Sequence, residues 1–475
     1  MDRGDAAGAA DVVDEGEEAG VEGGAGAACR VSGAGDTTAS VAGGTRTVGE
    51  AEAGTVGEAK AEAKAEAGRE GKRRRIEGLL LGLAAGDAAG WPAARHRAAR
   101  MPEWTRRLTR ELDTFAEQNA TTTLPVPIAL NQPPEPLRLG PSDDAEWAAF
   151  AAEAVLTAAG APSGGPGRDR GMRAAIDLAW NALASEVAAA AERAPEVESA
   201  VLPLRARISV RAGLGNLAAG LRPPATGHDN PHFFDDAACV RACVLAVVHL
   251  GQPLAAAELA EFDARYTQDG DGVHGARAMA AAVAAALDGA DAEECASVAL
   301  NQLPEGTEIR RNTLHAVRLA REVAADRPGR PGNAFALVPA LEHGIVDHVY
   351  SYGIAAAETV PVALALAVAG GGQVAEAVPA AACLSRVADS APALAGALTG
   401  AIGGTAGIPG TWRAACRTLS GCALPRLAGT DLVELAALLA RTEPSAPHAS
   451  PVRSPLRSAS PRGDRSPSTE ELTSP

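Results

Sequence analysis

The chain has 475 residues, a formal net charge of −16 and only 3% aromatic residues. That length admits two or three average domains, but composition removes both ends from any core. The acidic balance, with no basic stripe interleaved with aromatics, sets a nucleic-acid partner aside, and the longest apolar run, Thr359 to Gly372, is too short to span a membrane.

Residues 1–72 carry fifteen acidic and seven basic side chains among Ala, Gly and Thr. They hold too little large apolar surface to fold and are expected to be disordered. Within them, Glu58 to Ala67 alternates Glu, Ala and Lys, which favours a fraying, solvated helix. The chain start has acids where a secretory signal needs a basic end and an apolar core, so the expected compartment is the cytoplasm. Seven cysteines without paired spacing agree with a reducing setting; Cys239 and Cys243 read as buried thiols rather than zinc ligands. At the other end, residues 442–475 are rich in Ser, Pro and Arg. Their Ser-Pro steps at Ser450, Ser454, Ser460 and Ser466 block regular structure and permit phosphorylation. One domain remains, residues 73–441.

Nearly all of that domain reads at helical period. In chain order the pattern predicts helices over Arg75 to Ala85, Asp144 to Ala159, Arg170 to Ala191, Ala237 to Leu250, Leu254 to Tyr266, Gly275 to Leu287 and Asp291 to Leu300. It continues with Asn312 to Ala324, Ile354 to Ala369, Val374 to Val387, Ala393 to Ile402, Trp412 to Leu419 and Asp431 to Leu439. No alternating pattern is left for strands. With so few aromatics, the core must be Ala, Leu and Val, which suits helices packed through small faces. The expected fold is all-α, an orthogonal multi-helix bundle with disordered tails.

Two long polar stretches, Thr121 to Ser142 and Arg222 to Asp235, run into acidic helix starts, and long loops in compact domains are often functional. Ser142-Asp143-Asp144 opens one helix, and Asp389-Ser390 leads into a downstream helix of small residues. Standing alone, such a start reads first as a cap whose acids complement the helix dipole. If Asp143, Asp144 and Asp389 meet instead, carboxylates roughly 4 Å apart repel by about 4 kcal/mol per pair at an effective dielectric near 20. A cation relieves that repulsion, and hard oxygen donors without imidazole or thiolate select magnesium.

Three segments in order resemble the ADP-ribosylglycohydrolase family. Gly86-Asp87-Ala88-Ala89-Gly90-Trp91-Pro92 is similar to its opening GDAxGxP segment, Ser142-Asp143-Asp144 to its (T/S)DD segment, and Asp389-Ser390 with ALAGALTGA to its GDTDT-x-AxxAGAxAGA segment. The resemblance implies two magnesium ions between these segments and cleavage of the bond between ribose C1 and a leaving group in ADP-ribosylated proteins or ADP-ribosyl small molecules. It makes Ser142, Asp143, Asp144, Asp389 and Ser390 metal ligands, with ions that orient the ribose diol and a nucleophilic water. Two departures stand out. Ala94 occupies the place of an acid implicated in catalysis, and Val387 that of the first Asp of GDTDT.

Asp143, Asp144 and Asp235 are therefore the catalytic candidates, Asp235 because Asp235-Asp236 follows an aromatic pair and opens a helix. Asp87, His274 and Glu358 are candidates for contacting the ligand. His274 lies beside Asp269 and Asp271 in a Gly-rich stretch, and also reads as an ordinary loop histidine. Glu358 sits in an apolar helix, where a buried carboxylate needs a partner or a raised pKa. Tyr350 and Tyr352 read as base-stacking or packing aromatics. The expected activity is magnesium-dependent ribosyl hydrolysis; the alternative is a degenerate protein that binds ADP-ribose or a nucleotide without turning it over.

Overall fold

The computed structural model describes residues 66–90, 140–160, 167–193, 206–346 and 354–442, all within the compact unit Ala61–Pro475. Helix α1 covers residues 66–90. It starts before the apolar pattern because Glu70 pairs with Arg73 and Arg74 at 2.9 Å each, and such pairs one turn apart hold a solvated helix end together. There follow α2 (Asp143–Ala159), α3 (Gly167–Arg193), α4 (Ile208–Ala218), the single turn α5 (Ala225–His228), α6 (Ala237–Leu245), α7 (Pro253–Ala264) and α8 (Gly270–Asp288). The second half comprises α9 (Ala292–Leu300), α10 (Glu308–Asp326), α11 (Asn333–Gly344), α12 (Ala356–Ala369), α13 (Val374–Cys383), α14 (Ala391–Gly403), α15 (Gly410–Ala415) and α16 (Leu432–Arg441). Among the described residues, extended pairing is confined to two isolated bridges, Asp235 with Ala355 and Thr418 with Asp431. The fold is all-α.

Helices α4 and α11 escape the sequence pattern for identifiable reasons. Pro339 lies inside α11, where proline removes a helical hydrogen bond and normally signals a break; burial of Ala334, Leu337 and Leu341 carries the helix through. Gly213 and Gly215 weaken the helical reading of α4, yet a side chain at Gly213 would meet the Tyr266 carbonyl oxygen at 2.6 Å. Helix α13 stops at Cys383 instead of running to Val387. The chain then turns through Val387 N–H donating to the Leu384 carbonyl at 2.9 Å, which sets Asp389 just ahead of α14.

Helix α12 is buried on every side, the mark of a central helix, and it packs on α8, α10 and α14. Several of the scarce aromatics gather on one flank. Trp180 stacks with Trp147 and Tyr266 at centroid distances of 6.2 and 5.6 Å, and the Arg241 guanidinium lies 4.8 Å from its ring centre. Asp263 accepts from Trp180 Nε1 at 2.8 Å and from Arg241 Nε at 2.7 Å, so this buried charge is paired. The cluster ties α2, α3, α6 and α7 together.

The closest packing joins α1 to α14. Gly78, Gly82, Gly86 and Gly90 form a stripe on α1, one per turn, and face Gly404, Gly400, Gly396, Pro392 and Ala388. A Cβ at Gly82 would stand 2.2 Å from the Gly396 carbonyl oxygen, and one at Gly400 would stand 2.1 Å from that of Gly78. The two backbones touch, which only glycine allows. Gly82→Ala is therefore expected to destabilise the protein by about 3 kcal/mol or more. Gly215→Ala, with nothing within 4 Å of the new methyl, should stabilise it by about 0.5 kcal/mol. Thermal and urea unfolding of the two variants beside the parent check both signs.

Candidate active site

Ser142 occupies the cap position of α2, but its side chain makes no capping bond. The cap comes from α1. Asp87 Oδ2 accepts from Ser142 N–H at 2.6 Å and Ala145 N–H at 3.0 Å, satisfying the open first turn of α2 from a neighbouring helix. Ser142 Oγ donates instead to Asp143 Oδ1 at 3.0 Å. The Ser142-Asp143-Asp144 group is thus released from capping, and all three residues are buried. One turn on, Glu146 accepts from the backbone N–H groups of Cys422, Ala423 and Leu424 at 2.7, 2.7 and 2.8 Å, fastening residues 422–424 onto α2.

Facing this group, the glycine contact brings in the start of α14 with Asp389 and Ser390. Between them stands a residue that the sequence reading did not single out. Arg207, at the cap position of α4, donates through Nη1 to Asp389 and through Nη2 to Ser390 Oγ. Its Nη2 also lies 3.4 Å from Asp144 Oδ1, and its Nε 3.4 Å from Asp236 Oδ1. One guanidinium joins three carboxylates carried by α2, α14 and the start of α6. Nothing in Arg205-Ala206-Arg207-Ile208-Ser209-Val210-Arg211 distinguishes Arg207 from its neighbouring arginines.

Burial sets the electrostatics. It pushes the Asp144 carboxyl well above its ordinary range; Arg207 opposes the rise, while Asp87, Asp143 and Asp389 add to it. Burial likewise lifts Asp236 to about 7, against the pull of Arg207 and with Asp235 and Asp389 adding. For Arg207, burial disfavours the charge, but Asp389, Asp144 and Asp236 together outweigh it and raise its pKa. Asp144 Oδ2 is buried and accepts no hydrogen bond.

Of the remaining predicted residues, Asp235 and Glu358 lie on the elements that adjoin this centre, whereas the charged neighbours of His274 are all outside it. Asp235 Oδ1 accepts from Gln268 Nε2 at 2.7 Å and Ala237 N–H at 3.2 Å, so its neighbour Asp236 is the one that reaches Arg207. Asp236 N–H donates to the Ile354 carbonyl at 2.9 Å, and Ala356 N–H to the Phe234 carbonyl at 3.1 Å. These bonds fasten the start of α12, whose first turn carries the buried Glu358, to the Asp235-Asp236 strip. His274 is in the second turn of α8, a helix that already begins at Gly270 behind an Asp269 cap, rather than in a loop. Its charged neighbours are Asp271, Arg277, Glu261 and Arg265, and burial lowers its pKa. Val387 is fully buried in the core. Cys239 and Cys243 are buried free thiols. Ala94, Tyr350, Tyr352 and the chain ends lie outside the described residues.

The family model for ADP-ribosylglycohydrolase matches residues 69–447. The chain belongs to the ADP-ribosylglycohydrolase family. Among solved structures, an ADP-ribosylglycohydrolase-related protein complex is similar at 21% identity and a TM-score of 0.43, covering 78% of this chain and 99% of that one. No curated protein matches the chain in sequence.

As acceptors, the cluster around Arg207 offers carboxylate and hydroxyl oxygens, with an unsatisfied one at Asp144 Oδ2. That donor chemistry suits a hard divalent ion such as magnesium. Among the described residues, however, no three His, Cys, Asp or Glu side chains form a ready metal-ligating group, and the carboxylates are disposed around Arg207.

The rise of Asp236 to about 7 makes a statement about stability. Because the folded pKa exceeds the unfolded one, the neutral acid favours folding below about pH 4, and that contribution is lost as pH rises to about 7. Asp236→Asn should therefore melt a few degrees higher than the parent at pH 8, and the gap should close toward pH 4. Thermal unfolding in EDTA across that range measures it; a gap that widens toward low pH contradicts the assignment.

Proposed function

We propose that this protein hydrolyses the bond between ribose C1 and its leaving group in ADP-ribosylated proteins or ADP-ribosyl small molecules, and that it uses magnesium. Family membership supplies the reaction class. The observation that carries the finer reading is the convergence of Asp143 and Asp144, at the start of α2, with Asp389 and Ser390, at the start of α14, around the positive charge of Arg207.

Cleavage at C1 passes through an oxocarbenium-like transition state. Ionised carboxylates beside it stabilise the developing positive charge, and in a buried site they act without solvent screening. Asp144 Oδ2, which accepts no other hydrogen bond, would take one from a ribose hydroxyl or an attacking water. Asp143, Asp144, Asp389, Ser142 and Ser390 are the oxygens that would hold magnesium. A bound ion would supply polarisation of the ribose diol and of the attacking water. Asp235 braces the start of α6, and Glu358 is carried by the first turn of the adjoining α12.

A second reading, a binder of ADP-ribose without turnover, is favoured by the buried Val387 in a segment where the family pattern carries an aspartate. One experiment separates the two. Purified protein is incubated with ADP-ribosylated proteins and ADP-ribosyl small molecules, with magnesium or EDTA, and release of ADP-ribose is followed by chromatography. Magnesium-dependent release that falls at least about 100-fold in Asp144→Asn supports hydrolysis. Calorimetric binding without release supports the second reading, and neither binding nor release contradicts both. Asp389→Ala should abolish stabilisation by magnesium, whereas Asp235→Ala should weaken it less.

A further inference from the structure

Resting on the reading of this cluster as the active site, but not on magnesium, we infer that Arg207 is a built-in cation of the site. Its guanidinium holds Asp144, Asp236 and Asp389 together and takes the place of one divalent ion. Three observations converge on it. The guanidinium is buried, its side chain 9% exposed, and each of its three nitrogens faces an acid or a hydroxyl of the cluster. Its partners come from three separate elements, so the charge joins parts of the fold that otherwise repel. Two of the three carboxylates it touches, Asp144 and Asp389, are among those on which a metal would depend, and Ser390 is shared as well.

Charge limits what else can enter. Asp143, Asp144, Asp236 and Asp389 bring four carboxylates to the cluster, and Arg207 neutralises one. A single divalent ion is accommodated at the oxygens that Arg207 leaves open, Asp144 Oδ2 among them. Two ions with Arg207 would bring five positive charges against these four carboxylates. Arg207 therefore lowers the affinity of the site for metal while holding the metal-free protein together.

The test uses the full chain. In EDTA, Arg207→Met should melt lower than the parent by on the order of 10 °C, because removing one partner leaves buried carboxylates uncompensated. Adding Asp389→Asn to that variant should recover at least about half of the loss, since the two charges answer one another. If magnesium enters the site, calorimetry with magnesium chloride should show Arg207→Met binding it roughly tenfold or more tightly than the parent, as expected from removing a neighbouring positive charge. An Arg207→Met protein that melts like the parent overturns the assignment, as does a loss that Asp389→Asn leaves untouched. Should Arg207→Met alone not fold, folding of the double variant supports the inference and its failure to fold overturns it. Recovery by Asp389→Asn with no response to magnesium in any protein supports the role of Arg207 and removes the magnesium reading, so the two fail separately.

Discussion

Backbone contact between α1 and α14 is the constraint on which the site depends. A methyl group at Gly82 would overlap the Gly396 carbonyl, so the two helices can lie at this distance only with glycine along the seam. The stripe runs as far as Gly90, which abuts the Ala388 carbonyl oxygen beside Asp389. Asp87 leaves α1 within that last turn and caps α2. The register of one helix pair thus places the Asp87 cap, the Ser142-Asp143-Asp144 group and the Asp389-Ser390 group together. A wider seam would separate α2 from α14 and dissolve the site before any of its own residues changed.

A site assembled this way buries several carboxylates in a small space, and burial penalises each of them. The protein answers in two ways. Asp87, Asp235 and Glu146 accept N–H donors from the backbone or from an amide side chain, which turns charge into scaffolding. Asp144, Asp236 and Asp389 are answered by a guanidinium instead. Buried ion pairs of this kind are weak evidence for stability as such, because desolvation offsets much of the attraction. Their value here is positional, since Arg207 can satisfy its partners only where all three converge.

Much of this was legible in the sequence, and the gaps have physical causes. The helical class followed from apolar spacing, and the two acidic starts stood out because acids before a helix of small residues are visible as a local pattern. Helix α11 was hidden by Pro339, whose local cost is overridden by burial of Leu337 and Leu341. The capping of α2 was misdirected toward Ser142, since the group that does it, Asp87, lies 55 residues earlier. Asp236 and Asp235 are adjacent acids, and which of them reaches the site is decided by the Asp235 bond to Gln268, a contact across the fold. Arg207 was invisible for the same reason: its role is defined entirely by partners remote in sequence.

Val387 and Arg207 both bear on the charge of the cluster. A valine where the family pattern carries an aspartate removes one negative charge from the second acidic segment, and a guanidinium among the remaining carboxylates adds one positive charge. Both residues make the cluster less negative, the valine by withholding a carboxylate and the guanidinium by adding its charge. Because Arg207 is anchored at the start of α4, its charge arrives with folding and does not depend on metal supply. The site is thereby assembled before any ligand enters, and what a ligand or ion must supply is reduced to the part of the charge that Arg207 leaves unmet.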